Sequence, residues 1–393
     1  VSTLRLKKRS DARLSTGHLW VFSNEIDTAV TPLKGLEPGQ AVTIERANGQ
    51  FLGFAYANPH SLIAARLLSL QSNKPWDTTL LTERLDTALA LREELHAKPY
   101  YRWVHGEGDL LPGLIIDRYN DLLVVQINTA GIERIKDELV KALGKYENVN
   151  HIVLRCDNAI RELEQLPLYR ETVLGNAPET LKIFENDLEF SVPAELGQKT
   201  GWFYDHRDSR MALRQWVKGK RVLDVYTYLG AFGLNAAKAG AASVTAIDAS
   251  EVAVTAANEN AKANGLSDTF IAKQDDAVEA MRSLYAAGEQ FDVIVLDPPA
   301  FIKKRKDKDA GLRHYALNNR LALRLLKPGG LLLSASCSQA LDMQALQQSI
   351  QQSKPKESPG LQILEHYYQA PDHPVHVAMP ESLYLKGVLV KKL

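Results

Sequence analysis

Arg221-Val222-Leu223-Asp224-Val225, followed by Tyr226-Thr227-Tyr228-Leu229-Gly230-Ala231-Phe232-Gly233, decides the fold. A short apolar run carrying a carboxylate near its end reads as a buried strand. The next loop holds two glycines and leads into an alanine-rich helix, Leu234 to Ala239. A strand, a glycine-bearing loop and a helix N-terminus make a cradle, because backbone N–H groups and the positive end of the helix dipole face an anionic or carboxylate-bearing ligand. The glycine triplet of a dinucleotide fingerprint is missing, with Tyr226 and Tyr228 where glycines would sit. No pyrophosphate is implied, and a nicotinamide dehydrogenase is the weakest reading. The bland alternative is a tight strand-to-helix turn.

From about Lys182 onward, further apolar runs at Ser243 to Asp248, Thr269 to Lys273, Phe291 to Leu296 and Gly330 to Ser334 alternate with helical stretches. This alternation predicts an α/β fold with a doubly wound, Rossmann-like parallel sheet, whose ligands sit at the carboxyl ends of the strands. Asp248 closes the second strand, where a carboxylate accepts both hydroxyls of an adenosyl ribose; its alternative is a helix cap, which Ser250 serves equally well. Asp276 follows the third strand within reach of an adenine amino group, or stands as solvated charge. Asp297-Pro298-Pro299-Ala300-Phe301 follows the fourth, and proline rigidity there fixes the Asp297 carboxylate and its neighbouring carbonyls.

This order of features resembles the class I S-adenosylmethionine methyltransferases. The resemblance implies S-adenosylmethionine as cofactor, held by Tyr226, Thr227, Tyr228, Gly230, Asp248, Ala249, Ser250, Asp276, Ala277, Asp297 and Pro298. An Asp-Pro-Pro turn followed directly by an aromatic residue would suggest attack by an exocyclic amine, but here the aromatic is displaced to Phe301. The fifth strand ends in Ser334-Ala335-Ser336-Cys337-Ser338, which brings a thiol to the same edge as Asp297. Carbon 5 of a pyrimidine is too weak a nucleophile to take a methyl group unaided, and a thiolate added at carbon 6 turns the ring into an enamine. Cys337 is either that nucleophile or a packing residue; Cys156, in an apolar strand without a partner motif, reads as structural.

Three further stretches extend the likeness: Gly197-Gln198-Lys199-Thr200-Gly201-Trp202-Phe203-Tyr204-Asp205-His206-Arg207-Asp208, the segments Asp372-His373-Pro374 and Pro380-Glu381, and Tyr384-Leu385-Lys386-Gly387. With Ser-Cys-Ser they resemble, over nearly the whole chain, the RlmI-type 23S ribosomal RNA 5-methylcytosine methyltransferases of bacteria. That resemblance implies Cys337 as nucleophile, Asp297 as the contact to the cytosine ring near N3, and Thr200, Asp205 and Arg207 over the methionine end of the cofactor. Some RNA 5-methylcytosine enzymes of another family carry a second cysteine near the Asp-Pro-Pro turn, where this chain has Ala300 and Phe301. It also implies a PUA RNA-binding domain at the N-terminus, which His18-Leu19-Trp20-Val21-Phe22-Ser23 resembles.

The rest of the chain fits three cores, since 393 residues at roughly 150 per domain make two or three. Residues 1–74 read as a small β-barrel, with short runs at Ala41 to Ile44, Phe51 to Tyr56 and Leu62 to Leu68 between Pro38-Gly39 and Asn48-Gly49 turns. Residues 75–181 read as an α+β domain, with a helix over Thr78 to Leu95, a hairpin turning at Asn120-Asp121, a helix near Ile132 to Leu143 and a strand at His151 to Arg155. Residues 182–393 carry the large sheet.

Lys+Arg and Asp+Glu both total 47, so net charge offers no argument for a nucleic-acid partner, but its distribution does. Arg5, Lys7, Lys8 and Arg9 form a basic start, and Lys303, Lys304 and Arg305 follow the Asp297 turn; both suit RNA phosphates, or are solvated charge runs. Phe301, Tyr228 or Tyr315 offer an aromatic face to an unstacked base, and Arg313 and His314 are further candidates for RNA contact. The expected partner is 23S ribosomal RNA, naked or in a precursor of the large subunit, with a homodimer allowed for. One rival is an S-adenosylmethionine-dependent amine methyltransferase acting on adenine or guanine in RNA, and an RNA-binding assembly factor without chemistry is the rival from another class. Two cysteines are too few for a disulfide framework, no apolar run is of membrane length, and no cysteine and histidine spacing suits a metal, so a cytoplasmic, metal-free protein without a membrane partner is expected.

Overall fold

In the computed structural model, which describes residues 2–193, 201–302 and 305–393, the N-terminal strands are short because their apolar runs are. β1 (Ser2–Arg5), β2 (Trp20–Phe22), β3 (Gln40–Glu45), β4 (Phe51–Ala57) and β5 (Ile63–Ser69) form one sheet in the order β1-β3-β4-β5-β2. β1 runs parallel to β3, and the other pairs are antiparallel. The N–H of Lys7 donates to the Glu25 carbonyl and that of Asp27 to the Arg5 carbonyl, each at 2.8 Å, tying the two edges together around α1 (Ala12–Ser15). Sequence patterning finds β3, β4 and β5 but not β1 and β2, which are too short to show a period.

α2 (Thr78–Leu95) starts where Asp77 accepts the Leu80 N–H at 2.9 Å, an N-cap that fixes the helix origin. β6 (Tyr100–His105), β7 (Leu114–Tyr119), β8 (Leu122–Ile127), β9 (His151–Cys156) and β10 (Tyr169–Leu174) make a second sheet, ordered β10-β9-β8-β7-β6. The β7–β8 hairpin turns at Asn120, whose φ is 59°. The helix predicted near Ile132 to Leu143 is two: α3 (Ala130–Arg134) and α4 (Lys136–Leu143). Cys156 is fully buried in this core, as a structural cysteine should be.

The described chain divides into two compact units. The first combines both these sheets with Gly201, Trp202 and the late segment Pro371–Ser382; the second holds residues 180–193, Phe203–Ala370 and Leu383–Leu393. The segment 371–382 thus joins a different unit from the large sheet that precedes and follows it in sequence.

The second unit opens with the hairpin β11 (Thr180–Glu185) and β12 (Leu188–Pro193), then α5 (Arg207–Leu213). Its sheet contains β13 (Arg221–Val225), β14 (Ser243–Asp248), β15 (Phe270–Gln274), β16 (Phe291–Leu296), β17 (Leu326–Ser336), β18 (Leu361–Tyr368) and β19 (Lys386–Lys392), ordered β15-β14-β13-β16-β17-β19-β18. β13 to β17 are parallel and connect through α6 (Ala231–Lys238), α7 (Glu251–Ala263), α8 (Ala277–Ala286) and α9 (Lys308–Leu325). These are the doubly wound parallel strands that the sequence predicts, and β19, antiparallel to both β17 and β18, extends them into a mixed sheet. α10 (Met343–Gln352) precedes that pair. Reversing β19 puts its first residue, Lys386, at the same edge as the last residues of the parallel strands.

Candidate active site

Register brings the functional groups together. Val225 lies level with Ile247 and with Leu296, and Leu296 with Ser334, so β13, β14, β16 and β17 end side by side. Asp248, Asp297 and Cys337 all emerge at that edge.

The cradle begins with Asp224, which is 1% exposed and accepts hydrogen bonds from the Thr227 hydroxyl at 2.6 Å and the Gly233 N–H at 2.8 Å. Burial pushes its carboxyl up to about 7; the two hydrogen bonds oppose this, while the charges of Asp297 and Asp248 add to it. Tyr226 (φ 66°), Tyr228 (φ 51°) and Gly230 (φ 82°) all take left-handed backbone conformations. The two tyrosines therefore occupy glycine-type geometry, at a cost of about 1–2 kcal/mol each. Tyr226 is anchored by its hydroxyl, which donates to Asn318 at 2.7 Å, and Tyr228 by an edge-to-face contact with Phe203 at 5.5 Å. Gly230 caps α6, which starts at Ala231, three residues earlier than its sequence suggests. At Gly233 a Cβ would lie 2.6 Å from the Phe270 ring, so helix and sheet approach too closely for a side chain.

Asp248 is half-buried, and its two oxygens are oriented by the N–H groups of Tyr228 at 2.8 Å and Ser250 at 3.0 Å. Ser250 caps α7 by accepting the Ala253 N–H at 3.3 Å, next to exposed Ala249. Asp276 caps α8, one oxygen accepting the N–H groups of Val278 at 2.9 Å and Glu279 at 3.1 Å, and Ala277 is buried in the first turn. That cap is a role which neither sequence reading of Asp276 included. Asp205 accepts the Tyr384 hydroxyl at 2.5 Å, while Arg207 lies 3.5 Å from Glu185 and over the Tyr204 ring. Thr200, Lys303 and Lys304 lie outside the described residues, and Arg305 opens a short 3-10 turn.

Asp297 follows β16 with Pro298 buried behind it. Its carboxylate lies 3.2 Å from Nε2 of His206, a residue to which sequence reading gave no role. His206 is 5% exposed, and its Nδ1 has no hydrogen-bond partner among the described residues. Burial opposes the imidazolium, but the Asp297 charge and hydrogen bond more than offset this, so His206 titrates above its usual range.

Cys337 is half-exposed in the first turn past β17. The serines on either side are buried, and both share the Tyr315 hydroxyl, Ser336 at 2.7 Å and Ser338 at 2.9 Å. The Ile302 N–H donates to the Ser338 hydroxyl at 3.3 Å, linking the segment after Asp297 to the one bearing Cys337. Tyr315 is 1% exposed, so it is not a stacking platform for a base; Phe301, half-buried, rests against it at 5.0 Å and against His314 at 5.4 Å. Of the basic start, Arg5 bonds Glu45 at 2.8 Å and Lys7 the Asn24 carbonyl at 2.8 Å, whereas Lys8 and Arg9 are exposed without such partners among the described residues.

Two family models match the chain: a PUA-like domain over residues 4–70 and an S-adenosylmethionine-dependent methyltransferase over residues 159–389. Proteins named ribosomal RNA large subunit methyltransferase I, from Yersinia pseudotuberculosis and from Erwinia tasmaniensis, are each 36% identical over 98% of this chain and 98% of their own length. The chain belongs to the family of ribosomal RNA large subunit methyltransferase I. A SAM-dependent methyltransferase structure from Streptococcus mutans has a TM-score of 0.84 at 23% identity, and a methyltransferase structure in complex with SAH scores 0.85 at 23%; both cover 100% of each chain, and both show the fold. The cofactor of this methyltransferase is S-adenosylmethionine. The residues present fit it. Each carboxylate offers about four lone-pair sites, so Asp248 keeps capacity for two ribose hydroxyls beyond its two N–H donors. Asp224, Asp248 and Asp297 together suit a sulfonium cation.

Proposed function

We propose that this chain methylates carbon 5 of a cytosine in large-subunit 23S ribosomal RNA, through a transient bond between Cys337 and carbon 6. The observation that carries the reading is a half-exposed thiol at the same sheet edge as Asp297. S-adenosylmethionine supplies an electrophilic methyl group. The Cys337 thiolate forms the bond to carbon 6, and the ring's π pair shifts toward carbon 5. Asp297 holds the ring near N3 and relays a proton to it from the His206 imidazolium as negative charge develops there; N3 returns that proton on elimination. Carbon 5 takes the methyl group as the donor's methyl–sulfur bond breaks and leaves the thioether S-adenosylhomocysteine; the carbon 5 proton then passes to water, and the carbon 6–sulfur bond breaks to return the thiolate.

In this reading residues 1–74 form the RNA-binding module, 75–181 a central α+β domain and 182–393, apart from Pro371–Ser382, the catalytic domain. The cradle residues Tyr226, Thr227, Tyr228 and Gly230, with Asp248, Ala249, Ser250, Asp276, Ala277, Asp297 and Pro298, bind the cofactor, and Thr200, Asp205 and Arg207 cover its methionine end. Phe301, Lys303, Lys304 and Arg305 receive RNA beside the target base, and the basic start receives phosphates further away.

The test is tritium release from ribosomal RNA labelled at carbon 5 of cytidine. Wild-type protein should release tritium in step with methyl incorporation, and Cys337→Ala should lose both by roughly a thousandfold or more. Methyl transfer without tritium release, or an active Cys337→Ala, would mean an exocyclic amine is the target and would overturn the reading.

A further inference from the structure

A nucleophilic Cys337 needs its sulfur ionised at neutral pH. Resting on that reading, we propose that Lys386 is the positioning residue for Cys337: its buried ammonium pins the turn that carries the thiol and balances the thiolate before RNA arrives. Lys386 is level with Ser336 across the β17–β19 pair, one residue before Cys337. Its side chain is almost fully buried, and Nζ donates to the Ser338 carbonyl at 2.7 Å and the Leu341 carbonyl at 2.6 Å. Those two carbonyls bracket the turn just past Cys337, so the lysine fixes its shape.

Both acceptors are neutral, and Lys386 forms no ion pair with a carboxylate among the described residues. A buried ammonium without a counter-charge is costly, and an anion nearby relieves the cost. The ionisable groups facing Lys386 are Cys337 first and then Asp342, whose carboxylate caps α10 through the Ala345 N–H at 2.7 Å. Tyr315, on α9 at the same turn, is held neutral by burial. Burial pushes Lys386 down to about 8, against the pull of Cys337 and Asp342, so the ammonium persists at neutral pH. Buried cation and half-exposed thiolate then stabilise each other across the turn. The thiol proton leaves to water, Lys386 keeps its three protons throughout, and elimination returns the sulfur as the same thiolate.

The experiment follows iodoacetamide alkylation of Cys337 in the full chain against pH, read by mass spectrometry on its peptide. Wild-type Cys337 should reach half-maximal rate below the roughly 8.5 of a free thiol. Lys386→Gln, which keeps a donor but loses the charge, should move that midpoint up by about one pH unit and slow alkylation at neutral pH about tenfold; Lys386→Arg should retain most of the wild-type rate. An unchanged profile in Lys386→Gln overturns the inference. If neither variant folds, the wild-type profile still decides, because a midpoint at or above that of a free thiol overturns it without any variant. Alkylation needs no RNA, so the two readings fail separately: a shifted profile with no cytosine methylation sinks only the proposed target. An unshifted profile beside an inactive Cys337→Ala sinks only the role of Lys386.

Discussion

Tyr228 sits at a positive φ that its side chain disfavours, and the ring contact with Phe203 is what it gains there. Removing the ring in two ways separates conformation from contact. Tyr228→Ala and Tyr228→Gly lose the same ring, but only alanine keeps the left-handed penalty. The glycine variant should be the more stable by about 1 kcal/mol in urea denaturation, the reverse of their usual order. Asp224 gives a second residue-scale outcome. Below about 7 its carboxyl is neutral, and above that it is an anion beside Asp248 and Asp297. Cationic S-adenosylmethionine should therefore gain affinity relative to S-adenosylhomocysteine, which lacks the sulfonium charge, as pH rises through about 7, and Asp224→Asn should flatten that ratio in calorimetric titrations. The cradle was legible because a strand, two glycines and a helix start are contiguous in sequence. His206 and Lys386 carry no signal of their own in the sequence, since their meaning comes from the residues opposite them, Asp297 and the Cys337 turn.

At the scale of elements, apolar runs exposed the five parallel strands because both faces of such a sheet are covered. β18 shows no such run: Leu361–Tyr368 mixes Gln362, Glu365 and His366 with apolar residues, most of it stays accessible, and only pairing with β19 defines it. Antiparallel β19 was hidden for a related reason, because no helical stretch introduces it. α9 contributes to the site through Tyr315, the one hydroxyl shared by both serines around Cys337. Tyr315→Phe leaves those buried hydroxyls short of a partner, which should cost about 1–2 kcal/mol in denaturant unfolding. The loosened turn should also lower kcat about tenfold with KM for RNA little changed, in steady-state methylation assays. A drop in stability with unaltered kcat would show that the tyrosine braces the fold without positioning the thiol.

For the whole molecule, equal numbers of acidic and basic side chains, 47 each, give no net attraction toward a polyanion, so RNA affinity has to come from local cations. Sequence alone could not say which ones, because it cannot separate a cation already paired within the fold from one open to a phosphate. Nor could it assign Pro371–Ser382, which sits late in the chain yet belongs to the first unit, where the Asp372 carbonyl accepts the Arg92 side chain at 2.8 Å and its carboxylate the Arg102 N–H at 3.1 Å. The N-terminal cations divide in the same way. Arg5 bridges to Glu45 on β3, so its charge is neutralised inside the sheet, whereas Lys8 and Arg9 stand exposed just after β1. Each cation that neutralises one phosphate adds about 0.7–0.9 to the slope of log affinity against log salt. Replacing Lys8 and Arg9 together by alanine should therefore reduce that slope by roughly 1.4–1.8, in filter-binding titrations of ribosomal RNA over a range of salt. Arg5→Ala should leave the slope nearly unchanged and lower the stability of the first sheet instead, because the group it loses is a partner of Glu45. An equal fall in slope from Arg5→Ala would mean that RNA displaces the internal pair, and that the N-terminal sheet rearranges when it binds.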